Sequence, residues 1–238
     1  MVKSMRGDKK TDRLYGGIRG RFGERSPLAN GYRTRAYFLR EQSVLHELLN
    51  PDAATVLDVG CGSGLMLRPL VDGPRFIFGI DFNADACRAA LTNGFPIVRG
   101  DAFALPFKDA SIDELTSCQF FNQQRAEALK VFSLEAARVL RPGGRAVLVW
   151  RNGAALIHRL AHACLCVIDR LRGLPEFPQF VHSIEDLRSY LTEAGLEIEH
   201  AEVTFPALGW HSKDIASLAA GIIGASCIVI ARKPVRAA

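Results

Sequence analysis

Three glycines at alternate positions, Gly60, Gly62 and Gly64, follow an acid, Asp58, set inside the short apolar run Val56-Leu57-Asp58-Val59. Glycine lets a backbone turn sharply and approach a bound molecule closely, and an apolar run ahead of it suits a buried strand. The spacing predicts a strand turning into a helix around a nucleotide-type cofactor, with the N–H groups of the helix start facing the ligand. Loops of this kind also serve dinucleotides and phosphates, so the acids downstream decide the meaning. Asp81 stands 17 residues after Gly64 at the end of the run 76–80, and Asp101 follows the run 96–99. Ligands of open parallel sheets bind beyond the carboxyl ends of the strands, near the switch in strand order. An acid at each of successive strand ends fits one extended ligand. Asp81 is placed to accept both hydroxyls of a ribose, and Asp101-Ala102 lies where an adenine edge would be read. Cys118 ends a further run.

These residues need a scaffold that brings strand ends together. From residue 33 a helical stripe of Tyr37, Leu45, Leu48 and Leu49 runs to Asn50-Pro51. Strands are then expected at 55–59, 76–80, 96–99, 113–118 and 145–150, with a short helix from about Ser63 after the glycines. Asn83 is set to cap the next helix and Asn93-Gly94 to stop it, while 124–140 carries Leu129, Phe132, Ala136, Val139 and Leu140 on one face. Arg141-Pro142-Gly143-Gly144 reads as a break before the fifth strand. Residues 151–182 interrupt the alternation with an apolar helix over 154–171 and a turn around Pro175 and Pro178. Ser183 with Asp186 resembles a capping box for a helix to Ala194, and 196–203 and 226–231 supply the last strands. The fold class expected is α/β: a Rossmann-like, seven-stranded, mostly parallel sheet with an antiparallel last strand and helices on both faces.

At 238 residues and 48% hydrophobic, the chain has room for one sizeable α/β domain plus an appendage. The division expected is a basic, flexible arm over 1–32 and a single domain over 33–238 carrying a helical lid insertion at about 151–182. The net charge of +5 is uneven: residues 1–40 hold eleven Lys/Arg against three acids, a net +8, which leaves −3 for the rest. A solvated leader and a grip for RNA, lipid or another polyanion are both open to such an arm. Tyr15, Phe22, Tyr32 and Tyr37 stand out in and beside it, either as a lid over the site or as packing on the sheet. The basic start lacks an apolar run and a cleavage site, and the six cysteines include no Cys-x-x-Cys pair. A cytoplasmic protein with reduced thiols is expected. The uncharged run 215–231 reaches the lower limit for a membrane span, but Gly221, Gly224 and Ser226 interrupt it. It reads as a helix end, a turn and a buried strand, with no span and with peripheral membrane contact as the alternative.

Together, Leu-Asp-Val-Gly-Cys-Gly-Ser-Gly (57–64), Gly79-Ile80-Asp81, Gly100-Asp101-Ala102 with Leu105-Pro106-Phe107, and Leu140-Arg141-Pro142-Gly143-Gly144 resemble the ordered motifs of class I S-adenosylmethionine-dependent methyltransferases. The resemblance covers about 40–150 well and the remainder in outline. It is strongest to the ubiquinone/menaquinone-type small-molecule group. It implies S-adenosyl-L-methionine as cofactor and roles for matching positions. Gly60 and Gly62 would present backbone to the methionine end, and Asp58 would reach its amino group directly or through water. Ser63 would contact the cofactor, Asp81 hold the ribose, Phe82 pack on adenine, and Asp101 and Ala102 read the adenine amino edge. Cys118 or Gln119 would lie beside the methionine and the methyl group, although the group often has a small or hydroxylated residue at 118. A nicotinamide enzyme does not fit, because the glycines are spaced Gly-x-Gly-x-Gly and Asp58 interrupts the strand. A base-amino methyltransferase would carry Asn/Asp-Pro-Pro-aromatic after the fourth strand, where this chain has Phe120-Phe121-Asn122-Gln123.

His158, His162 and Cys166 share one face of the insertion helix, which is metal-ligand spacing. The pattern reads instead as an apolar helix tolerating them, with no metal. If the acceptor is a hydroxyl or carbon acid, a base must take its proton; the candidates are His158, His162 or a residue of the arm. Trp150 and Arg151 are expected to face the same mouth, with packing alone or solvation as the alternative for either. Three functions are consistent with these readings: methyl transfer to a small, partly apolar molecule; methylation of RNA or another polyanion held by the arm, which is not favoured; and a regulatory protein that binds the cofactor without turnover.

Overall fold

The structure is a computed structural model and describes residue 32 together with residues 35–153, 155–156, 159–160, 163–164, 180–205, 210–212 and 226–235. Helix α1 (Arg35–Leu48) precedes strands β1 (Thr55–Val59) and β2 (Phe76–Asp81), helix α2 (Ala84–Thr92), and strands β3 (Ile97–Arg99) and β4 (Ile112–Cys118). Helix α3 (Ala126–Val139), strand β5 (Leu140–Arg151), helix α4 (Ile184–Glu193) and strands β6 (Glu197–Phe205), β7 (Trp210–Ser212) and β8 (Ser226–Arg232) follow. The strands form one sheet in the order β3-β2-β1-β4-β5-β8-β6-β7. β3, β2, β1, β4 and β5 pair in parallel, and β8 runs antiparallel to both β5 and β6. The Rossmann-like, mostly parallel sheet with an antiparallel last strand is therefore present, extended at its edge by the three-residue β7, which pairs antiparallel with β6.

Alternation along the strands divides the core in two. Ala146, Leu148 and Trp150 of β5 pack with Leu129 and Phe132 of α3 and Leu187 of α4. Val147 and Val149, pointing the other way, pack with Phe38 and Leu45 of α1 and Ala90 of α2. Helices thus cover both faces, as an all-apolar strand such as β5 requires. Phe132 and Trp150 are fully buried, each side chain contributing about 2–3 kcal/mol of burial. The caps read from sequence are formed. Asn83 Oδ1 accepts the Ala86 N–H at 2.7 Å, and Ser183 and Asp186 close a reciprocal box at 3.0 and 3.1 Å.

Three local expectations change. No α-helix follows Gly64; the chain makes turns and a single 3-10 turn at Arg68–Leu70. Pro69 has no N–H to give and its ring blocks the preceding turn, so a helix cannot propagate through so short a stretch. The helix before Arg141-Pro142-Gly143-Gly144 ends at Val139, as expected, but these residues already form the irregular start of β5, where the register slips between the Ile112 and Glu114 pairs. Gly143 N–H donates to Lys233 O at 2.7 Å and Lys233 N–H to Gly144 O at 2.9 Å, so the bulge is paired to the chain beyond β8. Trp150 does not face the mouth: it is buried against Phe121, and its Nε1–H donates to His182 O at 3.1 Å. The arm before residue 32, most of the 154–171 helix, the 175–178 turn and the 215–225 part of the uncharged run lie outside the described residues. Among the described residues no helix is long and apolar enough to cross a membrane.

Candidate cofactor site

The register of the sheet builds the site. Pairing of Asp58 with Gly79 on one side and Thr116 on the other brings the ends of β1, β2 and β4 level. Asp58 is 2% exposed, and Thr116 Oγ1 donates to its Oδ1 at 3.0 Å. Burial pushes its carboxyl up to about 7, partly opposed by the Thr116 bond and reinforced by the charge of Asp81.

Beyond β1 the backbone enters the left-handed region, at φ 72° for Gly60 and 73° for Gly64. A Cβ on Gly60 would stand 2.6 Å from the Phe120 ring, and one on Gly64 2.3 Å from the Phe95 ring. Both positions therefore demand glycine on two counts. Four of the loop's amides are already committed. Gly60 and Cys61 donate to Ile80 O at 2.9 and 3.3 Å, Gly62 to Asp81 Oδ2 at 2.9 Å, and Gly64 to Cys61 O at 3.0 Å. With no helix start behind it, the loop is not the phosphate cradle that glycine spacing alone allows.

Asp81 turns one oxygen to Gly62 N–H and the other to Asn83 N–H, both at 2.9 Å. The cavity beside it opens to solvent and is lined by Asp58, Gly60, Gly62, Asp81, Phe82, Ala102, Cys118 and Gln119. Two anticipated residues are placed differently. Asp101 does not line the cavity, although its neighbours Gly100 and Ala102 do, and its Oδ1 accepts the Phe103 N–H at 2.9 Å. Ser63 is fully buried off the cavity, with its carbonyl accepting from Asn93 Nδ2 at 3.0 Å. His158, His162 and Cys166 lie outside the described residues. Among the described residues no group of three or more His, Cys, Asp or Glu could hold a metal ion.

The sequence reading missed Glu41. This α1 carboxylate is 4% exposed and takes hydrogen bonds from Tyr37 Oη at 2.7 Å, Tyr32 Oη at 3.1 Å, Ser226 Oγ at 2.6 Å and Gln119 Nε2 at 2.7 and 2.9 Å. The Cys118 thiol reaches it at 3.8 Å. Burial first, and then the Glu41 charge, push the Cys118 thiol well up, so it stays protonated. A clue was available: Tyr37, Glu41 and Leu45 are successive i, i+4 neighbours, so an acid stands in the middle of the buried stripe of α1. Tyr32, Phe38, Met66, Phe120, Gln123 and Gln124 also line the cavity. Of these, only Tyr32 was singled out by its type. Gln119 sits at φ 60°, a strained conformation for a non-glycine residue that aims its amide at Glu41.

Among the described residues lining the cavity, none is Lys, Arg or His, while Asp58 and Asp81 are both there. That composition fits a cationic ligand carrying hydroxyls and disfavours a polyphosphate. Together with a sheet whose antiparallel strand is threaded between two parallel ones, it defines the class I S-adenosylmethionine-dependent methyltransferase fold. Comparison with known proteins agrees. The methyltransferase domain family matches residues 57–148. A relative from Encephalitozoon cuniculi, whose name places it among the methyltransferases, is 36% identical over 60% of this chain and 70% of its own length. The 27-O-demethylrifamycin SV methyltransferase of Amycolatopsis mediterranei is 30% identical over 62% of this chain and 55% of its own. A demethylmenaquinone methyltransferase of Corynebacterium kroppenstedtii is 26% identical over 71% and 72%. A solved S-adenosylmethionine-dependent methyltransferase of Thermotoga maritima superposes with a TM-score of 0.65, covering 93% of this chain and 97% of that one at 19% identity. The matched part of the chain spans about half the length of several curated relatives, the rifamycin enzyme among them. The chain belongs to the S-adenosylmethionine-dependent methyltransferase family, whose cofactor is S-adenosyl-L-methionine.

Proposed function

We propose that this chain transfers the methyl group of S-adenosylmethionine to a small, partly apolar molecule. The observation that carries the reading is the cavity at the ends of β1, β2 and β4, with acids at its base, no cation in its described lining, and Phe38, Met66 and Phe120 on its walls. In this reading Asp81 holds the ribose hydroxyls, Phe82, 36% exposed, packs on the adenine, and Ala102 meets the adenine edge, with Asp101 behind it shaping the turn. Gly60 and Gly62 give the methionine end room, Asp58 serves its ammonium group directly or through water, and Cys118 and Gln119 flank the methyl group. Ser63 acts from beneath by shaping the loop. The bound cofactor supplies a methyl group on positively charged sulfur, already activated for transfer. The chain's own residues then have to hold an acceptor in line and keep water out, and the aromatic and Met walls suit both tasks.

The acceptor side is assigned to the arm and the insertion. Tyr32, at the arm's end, lines the cavity. Both stems of the insertion are fastened to the loop after β4: Asn122 Nδ2 donates to Arg151 O at 3.0 Å, Phe180 N–H donates to Asn122 O at 2.7 Å, and His182 Nε2 meets Gln124 O at 2.8 Å. A small acceptor accords with the relatives named for demethylrifamycin and demethylmenaquinone. The +8 of residues 1–40 is the feature that would engage an anionic acceptor such as RNA in the alternative reading. Transfer of labelled methyl to quinones, lipids, small metabolites and RNA tests the acceptor class; label appearing in RNA alone would refute the small-molecule reading. For the cofactor placement, calorimetry with S-adenosylhomocysteine should show at least about tenfold weaker binding for Asp81→Ala, the loss expected for hydrogen bonds to a charged group. Equal affinity would remove the ribose assignment.

A further inference from the structure

Glu41 is a buried carboxylate whose hydrogen-bonding partners among the described residues, Tyr32, Tyr37, Gln119, Ser226 and Cys118, are all neutral. A charge in that position is held by dipoles and keeps its field. Three of those partners, Tyr32, Cys118 and Gln119, themselves line the cavity, so Glu41 stands one side chain behind its wall. The field crosses that wall: the Glu41 charge helps push the Tyr32 hydroxyl and the Cys118 thiol upward, second to burial at Cys118 and after burial and Cys118 itself at Tyr32. Burial disfavours charge of either sign, but the Glu41 contribution is Coulombic, and a field that disfavours a negative charge at those atoms favours a positive one on a ligand beside them.

We propose that Glu41 is a charge-selecting positioning residue, acting through Tyr32, Cys118 and Gln119 to favour the sulfonium form of the cofactor over its neutral thioether product. The inference rests on the placement of the methyl group beside Cys118 and Gln119. Asp58 and Asp81 are assigned to the ammonium and the ribose, and Glu41 is the acid hydrogen-bonded to Cys118 and Gln119, the residues placed beside the methyl group. On transfer the bond from sulfur to methyl breaks, its electron pair stays on sulfur, and the methyl carbon bonds the acceptor. The positive charge facing Glu41 is then gone. The same carboxylate that helps draw the cofactor in no longer holds the product.

The test needs no acceptor. Titration calorimetry with S-adenosylmethionine, sinefungin, which carries an ammonium group in place of the methyl-bearing sulfur, and S-adenosylhomocysteine is run on the full chain and its variants. Glu41→Gln should weaken the two cationic ligands by at least about tenfold and the neutral one by no more than about twofold, since only the first two feel the charge. Equal weakening of all three would mean that Glu41 is merely scaffolding, and no weakening would mean that its field does not reach the sulfur; either outcome overturns the proposal. Tyr37→Phe supplies a second line, because it removes a 2.7 Å hydrogen bond to Glu41 and leaves the charge. Its ratio of sulfonium to thioether affinity should stay near wild type, and a selective loss of the cationic ligands there would also overturn the proposal. Asp81→Ala separates this inference from the placement beneath it: that variant should weaken all three ligands together, and if it weakens none, the placement fails independently of Glu41.

Discussion

At the scale of the residue, the site runs on acids kept from water. Asp58 titrates near 7 in the folded chain against an ordinary value near 3.8, because burial penalises its charge. The folded state therefore holds a proton that the unfolded state has released across that interval. Stability attributable to this group is full below about 4 and is lost as pH rises through about 7, on the order of 4 kcal/mol in all. Asp58→Asn removes the titration and keeps an acceptor for Thr116. Urea unfolding of the two proteins should show the variant gaining on wild type between pH 4 and pH 8; parallel pH profiles would contradict the burial argument. Of these residues, Asp58 and Asp81 were legible because acids at strand ends are conspicuous in a linear reading. Glu41 was not, because its partners come from sequence positions as distant as Ser226 and meet it only in the folded chain.

At the scale of the element, most of the fold could be read from caps and periodicity, and the exceptions share a cause. Asn83 and Ser183 announced helices that are there. The helix expected after Gly64 failed at Pro69, where a local rule outweighed the expected alternation. β7 has three residues, too few to display a period, and it exists by pairing with β6. Ser183→Ala offers a clean test of an element away from the cavity. Losing the oxygen that accepts the Asp186 N–H should cost about 1 kcal/mol of stability and leave S-adenosylhomocysteine affinity unchanged. An unaltered unfolding midpoint would show that packing of Leu187 and Leu191 alone holds α4.

At the scale of the whole molecule, the sheet depends on β8. It pairs with β5 from Arg145↔Arg232 to Arg151↔Ser226 and with β6 along its other edge. Its residues Cys227 to Ala231 are buried on both faces. A chain shortened to residue 225 leaves two facing edges unpaired and an apolar slot between them. Such a chain should show no cooperative thermal transition by circular dichroism; a melt close to that of the full chain would mean that β5 and β6 can pair directly. The order in which synthesis supplies the strands follows from the same threading. The ribosome delivers β8 after the seven strands it must join, including the two that flank it. Until it emerges, the half that carries the glycine loop and the acids waits with an open edge, and its long-range pairings are the slow ones to form. Exposed edges of that kind recruit other chains. A pause in translation shortly before codon 226 would therefore do more harm to yield than a pause of equal length before β1, although no residue of the cofactor-binding strands is altered.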